Sequence, residues 1–315
     1  MSIKIFNFSS ISSAEQVLTF LIYSYKMLYM QYVNTILIAK PSREEKIAVL
    51  IDYHMHSTYS ADGEMTLEEA CLRAIEIGID EIAFTDHIDI DWPDPNINFS
   101  IINIEQYLSD ITKLAEKYSH QIKIKKGIEI GLQPHVLEEN SNIIQSYPFD
   151  FVIGSVHIID RMDPYQGNYY EGKTKEESYR RYYQEIIDLI AIYDDFDVLG
   201  HLDYIRRYNP YSYSCEDLTL ALDLIDEILK ILIDKGKGIE VNTSGYRHIS
   251  KCPLPSFAIV KRYRELGGEI ITLGSDAHRA EYIGYKFKIA VEGIKEAGFK
   301  YLTTFQKRKP QFVKI

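Results

Sequence analysis

Imidazoles and carboxylates recur in this 315-residue chain just after short apolar runs. The first run, IDYHMH, delivers His54 and His56, and the last, TLGSDAH, delivers Asp276 and His278. Between them stand FTDH ending at His87, GIEIG centred on Glu129, VIGSVH ending at His157 and VLGHLD around His201. The i, i+2 spacing of His54 and His56 points both rings to one side of an extended segment, and Asp62 follows in the next loop. Such a mixture of nitrogen and oxygen donors suits zinc, manganese or iron, whereas a magnesium site rarely uses so many histidines. Nine candidate ligands exceed one ion's needs, so two or three divalent metal ions are expected.

Taken singly, a histidine at a strand end is ordinarily a hydrogen-bonded core or surface residue. Independent core histidines, however, have no reason to fall at the same end of successive runs. His120 and His135 keep the ordinary reading. Asp86 is read either as a ligand or as a partner that orients a ligand histidine from behind.

The pattern demands elements that bring the run ends together. From residue 48 onward the β-type runs are 48–53, 81–85, 122–130, 149–156, 197–201, 238–242 and 269–273, separated by helix-sized segments. Thr66 and Glu69 form a capping box closed by Gly78, and Thr174 and Glu177 repeat that spacing before YRRYYQEIIDLIAIY. Ile225, Ile228, Leu229 and Leu232 form an apolar helical stripe. Alternating βα units imply a parallel sheet with right-handed crossovers, and seven of them favour a closed or nearly closed α/β barrel over a doubly wound sheet. HMHSTYSADGE after the first run matches neither a dinucleotide fingerprint nor a phosphate-binding P-loop. In a barrel, functional residues gather at the C-terminal strand ends and the loops that follow them, which is where these donors fall.

A phosphate ester would also need a cationic anchor in the βα loops. Arg161, Arg206 and Arg247 follow the fourth, fifth and sixth runs, and arginine holds phosphate through paired hydrogen bonds. The sixth run ends in Asn242, Thr243 and Ser244, polar groups suited to a substrate, and His248 is a candidate in the loop beyond. Arg180 and Arg181, inside a helix, read as solvated.

The net charge of −11 argues against nucleic acid, whose binding relies on clustered lysine and arginine. The short basic stretch 306–309 reads as a solvated tail. Cys71, Cys215 and Cys252 lack disulfide-framework or zinc-knuckle spacing and are expected to be reduced thiols in a cytoplasmic protein. Residues 1–47 stand apart from the 48–315 barrel as an N-terminal extension. Their apolar, Tyr-rich stretch 17–39 is interrupted by Lys26, Gln31 and Asn34, which favours an amphipathic helix or an upstream start over a membrane span. A homodimer is left open.

The ordered set HMHSTYSADG, FTDH, GIEI, GSVH, GHLD and GSDAH resembles the polymerase and histidinol phosphatase (PHP) superfamily of metal-dependent phosphoesterases, closest to its histidinol-phosphate phosphatase branch. The resemblance covers residues 50–305 and implies a distorted (βα)7 barrel with a trinuclear centre. It implies one metal on His54, His56, Glu129 and Asp276, a second sharing Glu129 with His157 and His201, and a third on Asp62, His87 and His278. Asp276, His278 and Glu129 would then stand nearest the chemistry, with a water bridging the metals as the nucleophile. Some family members carry histidine where this chain has Asp62, which leaves the third ion less defined. GYRHISKCPLPS (245–256) resembles the loop after this branch's sixth strand, so the implied reaction is hydrolysis of L-histidinol phosphate to L-histidinol and phosphate.

Three rivals are kept. Another PHP phosphoesterase is nearest, either a phosphotyrosine phosphatase or an exonuclease, the latter disfavoured by the acidic chain. A non-catalytic metal-binding barrel would have lost ligands that this chain retains. A metal-dependent deaminase or amidase shares the opening H-x-H but not GSVH or the glutamate after the third strand.

Overall fold

In a computed structural model that describes residues 49–100, 103–211 and 220–315, the apolar runs become short parallel strands. These are β1 (Ile51–Asp52), β2 (Glu81–Phe84), β3 (His87–Ile88), β4 (Lys123–Gly131), β5 (Phe151–Ser155), β6 (Val198–Leu199), β7 (Gly238–Asn242) and β8 (Ile271–Gly274). The hydrogen-bonded order is β1-β2-β4-β5-β6-β7-β8, and β3 also pairs with β4. β2 and β3 lie along the same strand β4 in one direction, interrupted at Thr85 and Asp86, so the sheet has seven strand positions. Its two ends meet. Tyr53 N donates to Leu273 O at 2.9 Å, Asp276 N to His54 O at 2.7 Å, and Met55 bridges to Ala277. The result is the nearly closed (βα)7 barrel that the alternation of runs and helices demands.

Strands covered on both sides read as continuous apolar runs. Accordingly β2, β5, β7 and β8 are buried at every residue. The surrounding helices are α1 (Leu67–Ile77), α2 (Ile104–Lys117), α3 (Leu137–Ser146), α4 (Lys175–Ile192), α5 (Leu222–Asp234), α6 (Phe257–Glu265) and α7 (Phe287–Glu296). Both capping boxes form, Thr66 with Glu69 on α1 and Thr174 with Glu177 on α4, satisfying first-turn N–H groups that the helices cannot. Gly78 ends α1 with φ at 79°, a left-handed turn that glycine adopts without a Cβ clash. Ile225, Ile228, Leu229 and Leu232 of α5 are all buried in the core.

The C-terminal segment departs from expectation. Tyr301–Gln306 (β9) and Lys309–Lys314 (β10) form an antiparallel hairpin, so the basic stretch is a structured turn and not a solvated tail. Phe305 lies with Tyr53 and Phe151 in an aromatic cluster, its ring 5.0 Å from that of Phe151, and its N–H donates to the Tyr53 hydroxyl at 3.0 Å. At the turn, Arg308 pairs through Nε with Asp197 at 2.6 Å and Lys307 N donates to Asp150 at 3.0 Å. Asp150 and Asp197 immediately precede the residues that open β5 and β6. The hairpin therefore seals the N-terminal mouth of the barrel and leaves the opposite face for chemistry.

Cys71 is free and buried, but Cys252 is disulfide-bonded, a correction to the expectation of three reduced thiols. Sequence spacing registers only cysteines that are close along the chain, whereas a fold can join distant ones. Among the described residues, no helix is long and apolar enough to cross a membrane. The expectations for residues 1–47 lie outside the described residues.

Candidate metal centre

Each donor reaches the C-terminal face because of its place on a strand. His87 on β3 lies in register with Glu129 on β4, and Glu129 with Ile153 on β5, two residues before the end of that strand. His157 and His201 sit two residues past the ends of β5 and β6. Asp276 follows β8 with φ at 51°, a left-handed conformation uncommon outside glycine and often found where function over-determines the backbone.

Glu129 is the centre of the assembly. Its Oε2 lies 3.2 Å from His54 Nε2 and 3.5 Å from His56 Nε2. Its Oε1 lies 3.0 Å from His201 Nε2, 3.3 Å from His157 Nε2 and 2.6 Å from the donating Ser155 hydroxyl. Asp276 Oδ1 completes the first group at 3.4 Å from His56 Nε2 and 3.9 Å from His54 Nε2. At the rim, Asp62 Oδ2 is 3.0 Å from His278 Nε2 and 3.8 Å from His87 Nε2. The nine predicted donors thus converge on one end of the barrel, and several overlapping triads among them lie close enough to share an ion, one of which joins His87 and His157 to Asp89.

The donors fit metal better than they fit one another. His54 Nε2 and His56 Nε2 face each other at 3.0 Å, and His157 Nε2 and His201 Nε2 at 3.3 Å, where at most one nitrogen of each pair can donate. Glu129 Oε2 is buried without a hydrogen-bond donor. A buried carboxylate without a donor is costly, and these residues fit divalent cations, which would remove that cost if bound here.

The charges follow the same logic. Burial opposes ionisation of Glu129, yet His54, His157 and His87 outweigh it and hold the carboxyl well below its ordinary range. Asp276 is likewise held ionised against burial by Arg207 and His54. Burial would neutralise His54, but Glu240, Glu129 and Asp276 push its pKa well up. His56 goes the other way, down to about 3, through burial and the neighbouring His87 and His278.

A cavity of about 570 Å³ opens over the cluster, lined by His87, Glu129, His157, His201, Asp276 and His278 on the donor side. Arg207, Arg247 and His248 line it as well, with an aromatic wall that includes Trp92, Phe99, Tyr204 and Tyr208. Of the predicted anchors, Arg247 is in place and donates to the carbonyls of Ser275 and Asp276 at 2.9 and 2.8 Å. Ser244 donates to Asp276 Oδ2 at 3.1 Å. His248 packs its ring 5.4 Å from Tyr208, and burial followed by Arg207 lowers its pKa to about 4.

Two expected arginines are not part of the cavity. Arg161 is exposed and pairs with Asp91 at 2.9 Å. Arg206 is buried beneath the loop, 3.5 Å from Asp203. Its neighbour Arg207 takes the position instead, donating to Ser244 Oγ and Asp276 Oδ2. The single-turn 3-10 segment Tyr204–Arg206 sets which of two adjacent arginines turns inward, a rotation that spacing alone does not resolve. Asp86 receives the N–H of Ser57 at 2.7 Å and of Ser60 at 3.1 Å, so it braces the loop after His56.

Two carboxylates escaped sequence reading. Glu240 Oε1 lies 2.6 Å from His54 Nδ1, and Asp89 Oδ1 lies 2.9 Å from His157 Nδ1. Both were signalled by a carboxylate inside an apolar β run, GIEVN and HIDI, because fully buried Asp and Glu are rare unless paired.

A parallel βα barrel whose C-terminal face carries several overlapping His/Asp/Glu groups defines a metallohydrolase-type scaffold. The PHP domain model matches residues 52–244, and the chain belongs to that family. Histidinol-phosphatase from Lactococcus lactis is 36% identical over 82% of this chain and 95% of its own length. A probable histidinol-phosphatase from Clostridium acetobutylicum is 32% identical over 82% and 98%. The crystal structure of the L. lactis enzyme complexed with zinc, L-histidinol and phosphate superposes with a TM-score of 0.77 at 35% identity, covering 83% of this chain and 98% of that one.

Proposed function

We propose that this protein is a metal-dependent phosphomonoesterase that hydrolyses L-histidinol phosphate to L-histidinol and phosphate. The observation that carries the reading is one cavity lined both by the His/Asp/Glu cluster and by Arg207 and Arg247. Relatives of this chain, matched over most of their length, are a histidinol-phosphatase and a probable histidinol-phosphatase.

In this reading His54, His56, Glu129 and Asp276 would hold one ion, Glu129, His157 and His201 a second, and Asp62, His87 and His278 a third. Two or three divalent ions, zinc, manganese or iron, supply an acidified water and neutralise phosphoryl charge when bound. The chain's own groups orient the ester. Arg207 is buried, so its charge acts with little screening by water, and its planar fork can present paired donors to phosphate oxygens. Ser244 and Asp276 fix that guanidinium before substrate arrives. Arg247 holds the backbone of Ser275 and Asp276, steadying the left-handed residue that follows β8. Asp276 accepts hydrogen bonds from Arg207 and Ser244 through Oδ2. The aromatic wall gives the organic end of the substrate an apolar, stackable surface.

Purified, metal-loaded protein should release phosphate from histidinol phosphate at least tenfold faster than from a phosphotyrosine peptide or a nucleotide. Comparable rates on all three would remove the substrate assignment. Preference for the phosphopeptide would move the protein to the neighbouring phosphatase reading.

A further inference from the structure

We infer that Glu240 is a positioning residue that sets the tautomer of His54 and ties the ligands of two metal sites together. The inference rests on the metal-centre reading above and extends it to a residue that touches neither substrate nor reacting atoms. Glu240 is fully buried on β7 and uses both carboxylate oxygens. Oε1 lies 2.6 Å from His54 Nδ1, while Oε2 receives the backbone N–H of His201 at 2.8 Å and the Asn242 amide at 3.2 Å. The 2.6 Å contact is met by the His54 Nδ1–H donating to Oε1. Nε2, which faces Glu129 and His56, is then the ring nitrogen through which a metal would be held. Through its second oxygen the same residue fixes the backbone from which His201 projects toward the other side of Glu129.

The space for this carboxylate is built into the neighbouring strand. Gly274 lies in register with Asn242, and a methyl group at 274 would overlap both Glu240 Oε1 and the His54 Cβ. The arrangement recurs across the barrel. Asp89 Oδ1 lies 2.9 Å from His157 Nδ1, and a methyl group at Gly131 would overlap that same oxygen. Two ligand histidines in two groups therefore each have a carboxylate behind them and a glycine that admits it. A carboxylate placed there only to fill space would need neither alignment with Nδ1 nor a glycine opposite.

The test uses the full chain and zinc alone, without substrate, so its outcome is independent of whether histidinol phosphate is turned over. Competition against a chromogenic zinc chelator should show Glu240→Gln weakened about 10- to 100-fold for one zinc equivalent. Asp89→Asn should be weakened similarly for a different equivalent. Nitrogen-15 imidazole spectra of the zinc-loaded wild-type chain should show His54 protonated at Nδ1 and bound through Nε2. Unchanged zinc affinity in a folded Glu240→Gln variant overturns the inference. So does a wild-type His54 protonated at Nε2, which decides the matter even where the variant does not fold. A chain that meets both expectations yet leaves histidinol phosphate intact would sink the phosphatase reading and leave this one standing.

Discussion

Arg207 donates from a buried guanidinium to the Oδ2 oxygen of Asp276, joining a cation of the loop after β6 to an anion at the end of β8. The pair stands where the donor cluster meets the cavity, so the two ends of the proposed chemistry share one contact. Removing either partner leaves a buried charge uncompensated.

Arg207→Ala should lower kcat/KM for histidinol phosphate by about 10²- to 10³-fold, in the range seen for loss of one preorganised charge stabiliser. Arg207→Lys should recover only part of this, because an ammonium cannot supply the planar fork. Arg161→Ala, on the exposed Asp91 pair, should leave the rate within twofold. Steady-state kinetics on the three variants check the ranking, and equal losses at 161 and 207 would contradict it.

His157→Ala should abolish turnover and lower bound metal by about one equivalent, since its ring shares Glu129 Oε1 with His201. His120→Ala, on the exposed turn after α2, should change neither. Elemental analysis alongside phosphate release separates this from the non-catalytic barrel, in which there is no turnover to lose.

Protons and metals compete for the same nitrogens, which predicts opposite pH trends for two forms of the protein. In the metal-free chain burial disfavours charged His87, but Glu129, Asp62 and Asp89 outweigh it and raise its pKa from 6.5 to about 9. A histidine raised in this way stabilises the fold fully below its unfolded value and loses that contribution as pH climbs through the folded one. Metal binding instead needs unprotonated imidazole and strengthens over the same interval. Between pH 6.5 and 9 the Tm of chelator-treated protein should therefore fall while that of zinc-loaded protein rises. Parallel curves would contradict the account.

The hairpin β9–β10 makes a separate claim about stability. Phe305→Ala should destabilise the fold by about 3–5 kcal/mol, as truncation of a buried phenylalanine does, because its ring packs on Tyr53 and Phe151. Urea unfolding measures this directly. Zinc stoichiometry of the folded fraction should stay unchanged, since the cluster and the hairpin lie at opposite barrel mouths.

How much of this was legible in the chain depends on the period of each signal. The strands and their terminal donors were legible because a buried parallel strand is an unbroken apolar run, and a histidine or carboxylate at its end interrupts that run visibly. Glu240 and Asp89 were missed because each sits inside a run, where a single charge reads as noise until its partner is known. Arg206 and Arg207 are adjacent, and only the backbone rotation of the segment 204–206 decides which turns inward. The hairpin carried a readable signal in the β-favouring run Tyr301, Leu302, Thr303, Thr304 and Phe305, but the basic turn at 307–309 masked it. Cys252 shows the limit of spacing arguments, since its bond is set by the fold and not by distance along the chain.

The central claim is that Glu129 organises a polynuclear metal centre, and anomalous diffraction at the zinc, manganese and iron edges tests it most directly. Crystals of metal-loaded protein should show two or three peaks within coordination distance of the grouped donors, with two of them sharing the Glu129 carboxylate. An absence of any peak beside Glu129, or a single peak held by exposed residues elsewhere, would contradict the account.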